Sequence, residues 1–334
     1  MKYAVIGLGA VGTIVGGLLT KSHDDVILIG KKNQVERIKK KGIRIQGINR
    51  ITEVKKINVS DDFSSLSDVD IIIVCVKSQD TESLSKNLKK HIKKSALIIS
   101  LQNGIKNSYI LEEITGIKTI SGIILFNAMY FKPGLVEITI KGGVLLESSE
   151  LYGKKIDEFI GILKKGGLNT FSVKNIEGYL WSKLILNLQN AVDTLTGQTI
   201  KQSIIDKNSR QILIATMKEG LTVLENSGIE LGYLPRIDPR KMIKRLSMYN
   251  TLFLKVGTYL MGIKENAKNS MSQSILRNKN SEIDYMNGEI VTLANKNNIE
   301  APINSRLVEL VKDLEKSQTK KSYDPVDLRR ILSI

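Results

Sequence analysis

The sequence predicts an α/β fold: an N-terminal Rossmann-type doubly wound sheet followed by an all-α C-terminal domain. Three observations carry this. Short β-branched runs alternate with amphipathic stretches from residue 2 to about 125, the mark of a parallel sheet covered by helices. A glycine string, Gly7-Leu8-Gly9-Ala10-Val11-Gly12, lies between the first such run and the first amphipathic stretch. After about residue 175 only helical periodicity remains. A chain of 334 residues allows two domains at roughly 150 residues each. The change of character near Val173 to Ile176 divides it into 1–174 and 175–334.

The expected strands are Tyr3 to Ile6, Val26 to Ile29, Ile43 to Gln46, Ile71 to Val76 and Leu97 to Leu101. Ile71 to Val76 has no strongly polar residue, as suits a central strand covered on both faces, and Cys75 within it reads as a small buried hydrophobe. Lys118 to Leu146 is β-rich, with a turn at Pro133-Gly134. The clearest helices are Gly178 to Thr196, Gln211 to Ser227 and Ser281 to Asn295. A loop from Asn295 to Pro302, a helix from Ser305 to Lys316 and a short amphipathic end after Asp324-Pro325 complete the chain.

Composition excludes several classes of function. Apolar residues make up 42% and charged residues 25%, which provides a core and excludes wholesale disorder. One cysteine and two histidines, His23 and His91, allow neither an internal disulfide nor a Cys/His zinc site. The net charge of +16 is spread over several lysine and arginine clusters, with only 5% aromatic residues, too few for base stacking, so no nucleic-acid partner is expected. Lys2 followed by the apolar run Ala4 to Leu19 resembles a secretory signal superficially. Five glycines interrupt it, however, it is short for a bilayer span, and no cleavage site follows. No later stretch is long enough to span a membrane, so a soluble cytoplasmic protein is expected, with a homodimer one assembly open to it.

The glycine string directly follows an apolar strand and opens a helix within a βαβ unit, the context that makes G-x-G-x-x-G a dinucleotide fingerprint. Gly7 permits the tight turn, Gly9 lets backbone approach a pyrophosphate, and Gly12 packs helix on strand. The N–H groups at the helix start, near Leu8, Ala10 and Val11, would hold phosphate. The second strand ends Ile29-Gly30-Lys31-Lys32, with no acidic residue to receive a ribose 2′-hydroxyl. Lysine there suits a 2′-phosphate, which selects NADP(H); the alternative is that Lys31 and Lys32 belong to a lysine-rich surface.

Reduction of a carbonyl by hydride needs an acid that protonates the developing alkoxide. Both histidines lie in the nucleotide half, so lysine or tyrosine is the candidate. On the helix Gly178 to Thr196, Lys183 and Asn187 are four apart and share a face, with Thr194 further along and Leu184, Ile185, Leu186 and Leu188 around them. Spacing leaves two readings of Lys183: an amine snorkelling to water, or one partly desolvated with a lowered pKa.

Over nearly its whole length the chain resembles the ketopantoate reductases (2-dehydropantoate 2-reductases) of the 6-phosphogluconate dehydrogenase-like group. The resemblance rests on the glycine string, Val76-Lys77-Ser78, Gln102-Asn103-Gly104 and Trp181-Ser182-Lys183 to Asn187. Two later blocks join them, Ser270-Met271-Ser272-Gln273 and Ser281-Glu282-Ile283-Asp284-Tyr285-Met286-Asn287-Gly288, the last being the most specific. It implies that Lys183 polarises the keto oxygen and gives it a proton, that Glu282 helps fix substrate and cofactor, and that Ser270 contacts the substrate carboxylate. It also implies that Asn187 and Asn103 line the site and that Lys77 lies on the cofactor side. On local grounds alone, Ser281-Glu282 reads equally as a helix start and Ser270 as a helix N-cap.

The implied activity is NADPH-dependent reduction of 2-dehydropantoate to pantoate, with a small keto acid as partner. The chain departs from the family pattern at Ala191, where a second asparagine is expected, at Ser274 and at Phe126-Asn127-Ala128. These departures keep open a related reductase of another 2-keto acid. A dinucleotide-sensing protein without turnover is the remaining alternative, though it would need neither Lys183 nor Glu282.

Overall fold

The structure, a computed structural model, describes residues 1–47, 51–234 and 238–334. They form two units, Met1–Ile176 and Glu177–Ile334.

The first unit contains β1 (Tyr3–Ile6), α1 (Ala10–Ser22), β2 (Val26–Ile29), α2 (Lys32–Lys41), β3 (Ile43–Gln46), β4 (Ile51–Val54), β5 (Asn58–Ser60) and β6 (Ile71–Val74). There follow α3 (Thr81–Leu88), β7 (Leu97–Ser100), α4 (Asn107–Thr115), β8 (Thr119–Ile124), β9 (Asn127–Lys132), β10 (Leu135–Ile140), β11 (Val144–Glu147), α5 (Gly153–Gly166) and β12 (Thr170–Val173). Its main sheet runs β12-β11-β8-β7-β6-β1-β2-β5. From β5 to β8 neighbouring strands are parallel. Numbered by their sequence, these six strands lie in the order 3-2-1-4-5-6, that of a Rossmann sheet. The order reverses between β1 and β6, and ligands of such sheets bind beyond the strands' carboxyl ends at that point.

The central strands are buried on both faces because side chains alternate between two cores. Tyr3, Val5, Ile71 and Ile73 pack in the core that includes Ile14, Val15 and Leu18 of α1 and Phe159 of α5. Ala4, Ile6, Ile72 and Val74 pack in the other, with Leu84 and Leu88 of α3 and Leu111 of α4. The glycines that interrupt the early apolar run are close-packing positions on α1. A Cβ on Gly16 would lie 2.6 Å from Leu28, and one on Gly17 3.1 Å from Ile43.

Two strand expectations are corrected. Ile43 to Gln46 is a strand, but it belongs to a second sheet of order β4-β3-β10-β9. Its alternation, with Ile43 and Ile45 buried and Arg44 exposed, shows which residues face the core and not which strand is the partner. The third parallel strand is instead β5, three residues whose Asn-Val-Ser sequence carries little β signal. Strand β6 ends at Val74, so Cys75 lies just beyond it, half-buried, and burial pushes its thiol pKa up. The β-rich segment holds four strands, and Gly134, at φ +75°, turns the chain between β9 and β10.

The second unit is helical: α6 (Glu177–Asn187), α7 (Gln189–Thr196), α8 (Ile200–Ile205), α9 (Lys207–Asn226), α10 (Pro239–Met248), α11 (Thr251–Leu260), α12 (Ser270–Ile275), α13 (Asn287–Lys296), α14 (Pro302–Lys316) and α15 (Pro325–Ile331). Its core gathers Leu195, Leu213, Met271, Leu307, Leu310 and Leu328. The helix expected from Gly178 to Thr196 divides at Leu188, whose N–H bonds both Leu184 O and the tighter i−3 partner Ile185 O. The helix expected from Ser281 begins only at Asn287, after a 3₁₀ turn over Ile283–Tyr285.

Candidate active site

At the carboxyl ends of β1 and β6 the glycine string turns from strand into α1. Gly7 has φ +95°, and a Cβ there would lie 2.7 Å from Val76 N, so both conformation and space require glycine. A Cβ on Gly12 would lie 2.0 Å from Gly7 O, so helix and turn also meet too closely for a side chain. Gly9 differs: it is exposed, its φ of −76° suits any residue, and a Cβ would meet nothing within 4 Å. The protein's own packing does not explain glycine at position 9. Gly9 caps α1 without a side-chain bond, and no acidic residue lies in the first turn, which includes Ala10 and Val11. The helix therefore presents N–H groups that no side chain caps.

Leu8 is buried and its carbonyl accepts a hydrogen bond from Gln34 Nε2 at 2.8 Å, while Gln34 Oε1 accepts the Lys31 N–H at 2.9 Å. No motif in the sequence singles out Gln34, although glutamine at the third position of a helix is a capping signal. Lys31, the N-cap of α2, and Lys32, its first residue, are exposed, placing two ammonium groups at the positive end of a helix.

Half-buried Lys77 precedes a 3₁₀ turn, Ser78–Asp80, that leads into α3. Ser78 donates to the Asn103 carbonyl at 2.9 Å, and Asn107 donates to the same carbonyl and to Ser78 Oγ at 3.1 Å. Thr81 donates to Asn107 Oδ1 at 2.8 Å and accepts from Gln102 Nε2 at 2.7 Å. This buried network fixes the loops that carry Lys77 and Asn103 after β6 and β7.

In the helical unit Lys183 and Asn187 share the half-buried face of α6. Among the described residues Lys183 has no hydrogen-bond or ion-pair partner, and burial pushes its pKa down to about 8. Of the two readings that spacing left open, the structure thus favours the desolvated amine. A Cβ on Gly220 of α9 would lie 2.8 Å from both Ile185 and Leu188, a close approach that seats α6.

Ser270 is half-buried as the first residue of α12, and the residue that caps this helix is Asn269, whose Oδ1 accepts the Ser272 N–H at 2.8 Å. The N-cap reading of Ser270 is thereby corrected by one position; Asn followed by Ser is itself a cap signal. Glu282 is 2% exposed and precedes the 3₁₀ turn. Ser281 holds that segment: its N–H donates to Glu315 at 2.6 Å and its hydroxyl accepts the Ile283 N–H at 3.1 Å. Thr194 and Ser272 hydroxyls lie 2.9 Å apart, and Asn190 Nδ2 donates to Met286 Sδ at 3.4 Å. Bonds from α7 therefore tie together the elements that carry Ser270 and Glu282, and α6 joins α7 at Leu188.

Each family departure has a place. Ala191 is fully buried in the apolar core, Ser274 donates to Ser270 O at 3.0 Å, Phe126 enters the first unit's core, and Asn127 donates to Thr139 at 2.7 Å. Both histidines lie in the first unit, His23 edge-on against Tyr3 and His91 tilted against Phe63. Among the described residues there is no cluster of metal-ligating side chains, and no helix is long and apolar enough to cross a membrane.

Comparison with known proteins shows the family and the fold. Residues 3–150 match the family model for ketopantoate reductase PanE/ApbA, and residues 175–315 match that for its C-terminal part. A 2-dehydropantoate 2-reductase of Pyrococcus abyssi is 33% identical, covering 96% of this chain and all of that one. A crystal structure of a PanE/ApbA family ketopantoate reductase from Ralstonia eutropha superposes with a TM-score of 0.81 at 29% identity, over 96% of this chain and 100% of that one. A ternary structure of D-mandelate dehydrogenase with NADH and anilino(oxo)acetate shares the fold, with a TM-score of 0.78 at 24% identity over 95% and 99% of the two chains. The chain belongs to the ketopantoate reductase PanE/ApbA family.

Proposed function

We propose that this protein is an oxidoreductase that reduces 2-dehydropantoate to pantoate with NADPH, a step toward pantothenate and coenzyme A. The observation that carries the reading is Lys183: a half-buried amine, without a partner among the described residues and with its pKa pushed down to about 8. Such a group is protonated at neutral pH and acidic enough to give its proton to an alkoxide as the alkoxide forms. The dinucleotide, when bound, supplies hydride to the keto carbon.

The chain's own residues supply the rest. Lys183 polarises the keto oxygen and protonates it. Asn187, one turn on, and Asn103 are neutral donors for the substrate, Ser270 receives the substrate carboxylate, and Glu282 helps fix the reacting partners. Gly7 to Gly12 hold the pyrophosphate, for which Gly9 is the supporting feature, since packing gives no other reason for glycine there. Lys77 lies on the cofactor side. Lys31 binds the 2′-phosphate, an anion that relieves the repulsion between its ammonium group and the start of α2. The fold does not choose the coenzyme, since it is shared with a D-mandelate dehydrogenase crystallised with NADH.

A second reading, reduction of a different small 2-keto acid, is favoured by Ala191, which lies in the core where the family pattern leads one to expect an asparagine. Following NADPH absorbance with the purified protein decides among the readings. Rapid oxidation with ketopantoate supports the first, oxidation only with other 2-keto acids supports the second, and binding without oxidation with any of them rejects both.

A further inference from the structure

Asp193 is fully buried on α7, where its neighbours Ala191, Val192 and Leu195 form apolar core. Burying a carboxylate opposes folding unless its oxygens are well supplied with donors. Two side chains supply them. Asn269 Nδ2 donates to Oδ2 at 3.0 Å and Gln189 Nε2 approaches the two oxygens at 3.3 and 3.5 Å, while the Ser203 hydroxyl of α8 donates to Ile200 O at 3.1 Å. Lys268, whose Nζ donates to Gly197 O at 3.3 Å, is the charged group that favours the ionised form. Burial nevertheless outweighs these donors and pushes the Asp193 pKa up to about 6, so at neutral pH the carboxylate is retained against an opposing desolvation. An apolar residue of that size would fill the space without this penalty, so packing does not explain an acid at position 193.

What the carboxylate does is orient Asn269. That side chain has one acceptor and one donor end, and the two must not exchange. With Nδ2 drawn to Asp193 and to Asn190 O at 3.3 Å, Oδ1 is left facing the Ser272 N–H, which it caps. Ser270 is the next residue, the first of α12.

We infer that Asp193 is a positioning residue for the reduction, its buried carboxylate locking the Asn269 cap and thereby the place of Ser270 relative to α7. This rests on the reading that Ser270 receives the substrate carboxylate. Asp193→Asn keeps the shape but presents an amide to a site made of donors. In the full-length protein with saturating NADPH, this substitution raises KM for ketopantoate about tenfold, equivalent to about 1.4 kcal/mol, and leaves kcat within about threefold and NADPH affinity unchanged. Backbone hydrogen exchange over residues 270–273 accelerates, while exchange in α14 stays as in the unaltered protein. Asn269→Ser, which can still cap α12 but lacks the amide, shifts KM and exchange in the same direction and serves if Asp193→Asn does not fold. Unchanged KM and exchange in the folded variants overturn the inference, as does a uniform loss of kcat, coenzyme affinity and protection throughout the helical unit. If the unaltered protein does not reduce ketopantoate, the functional reading fails, and the exchange measurement still decides the role of Asp193.

Discussion

The side chain of Gln34 spans two strand ends: its amide donates to the Leu8 carbonyl at 2.8 Å and its Oε1 accepts the Lys31 N–H at 2.9 Å. The turn proposed to hold pyrophosphate and the residue proposed to read the ribose are therefore kept at a fixed spacing by one glutamine. Lys31→Glu places a carboxylate where the 2′-phosphate is expected, and NADPH affinity falls by roughly ten- to a hundredfold while NADH affinity is little changed. Titration of both coenzymes by fluorescence checks this; an equal effect on both removes Lys31 from the specificity site.

Lys183→Ala removes the proton donor. The expected result is a fall in kcat of about 10² to 10³, with coenzyme dissociation constants within about twofold of the unaltered protein. Steady-state kinetics together with direct binding measurements separate the two quantities, and near-normal turnover rejects the assignment.

The pH dependence follows from the same amine. Because its pKa is pushed down to about 8, the protonated donor is present at neutral pH, and reduction slows as pH rises through about 8. The linked effect on folding has the opposite sign. A lysine that holds its proton less tightly when folded than when unfolded opposes folding fully below about pH 8, and this opposition fades toward the ordinary lysine value of 10.5. Lys183→Met therefore raises the melting temperature at pH 7 while lowering kcat by about as much as Lys183→Ala; calorimetry showing a lowered melting temperature contradicts the desolvated amine.

Gly7 and Gly9 respond differently to alanine. Gly7→Ala meets Val76 backbone in a left-handed conformation and destabilises the fold by about 1–3 kcal/mol. Gly9→Ala leaves stability within about 0.5 kcal/mol, since its methyl meets no protein atom within 4 Å, but weakens coenzyme binding about tenfold. Urea unfolding and coenzyme titration of the two variants test the contrast.

Much of this was legible in the sequence because it is local. The strands β1, β2, β6 and β7 show as apolar runs, and the turn after β1 is set by glycine spacing. Lys183 stood out as a charge on a largely apolar helix. What stayed hidden depends on contacts distant in sequence. Nothing local separates Asn58–Ser60 from a loop until β2 is beside it, and the sheet to which Ile43–Gln46 belongs is decided by β10, some ninety residues later. Asp193 reads as one more polar residue until the helices that bury it are assembled. Gln34, Asn107 and Asn269 act by orienting loop carbonyls and a helix start, relations that residue identity alone does not express.

The contrast among the glycines also separates what the architecture demands from what it leaves free. Positions 7 and 12 are constrained by the polypeptide's own packing, whereas nothing in that packing constrains position 9. A chain of this fold with no ligand at the turn would tolerate a larger residue at position 9 while still requiring glycine at its two companions.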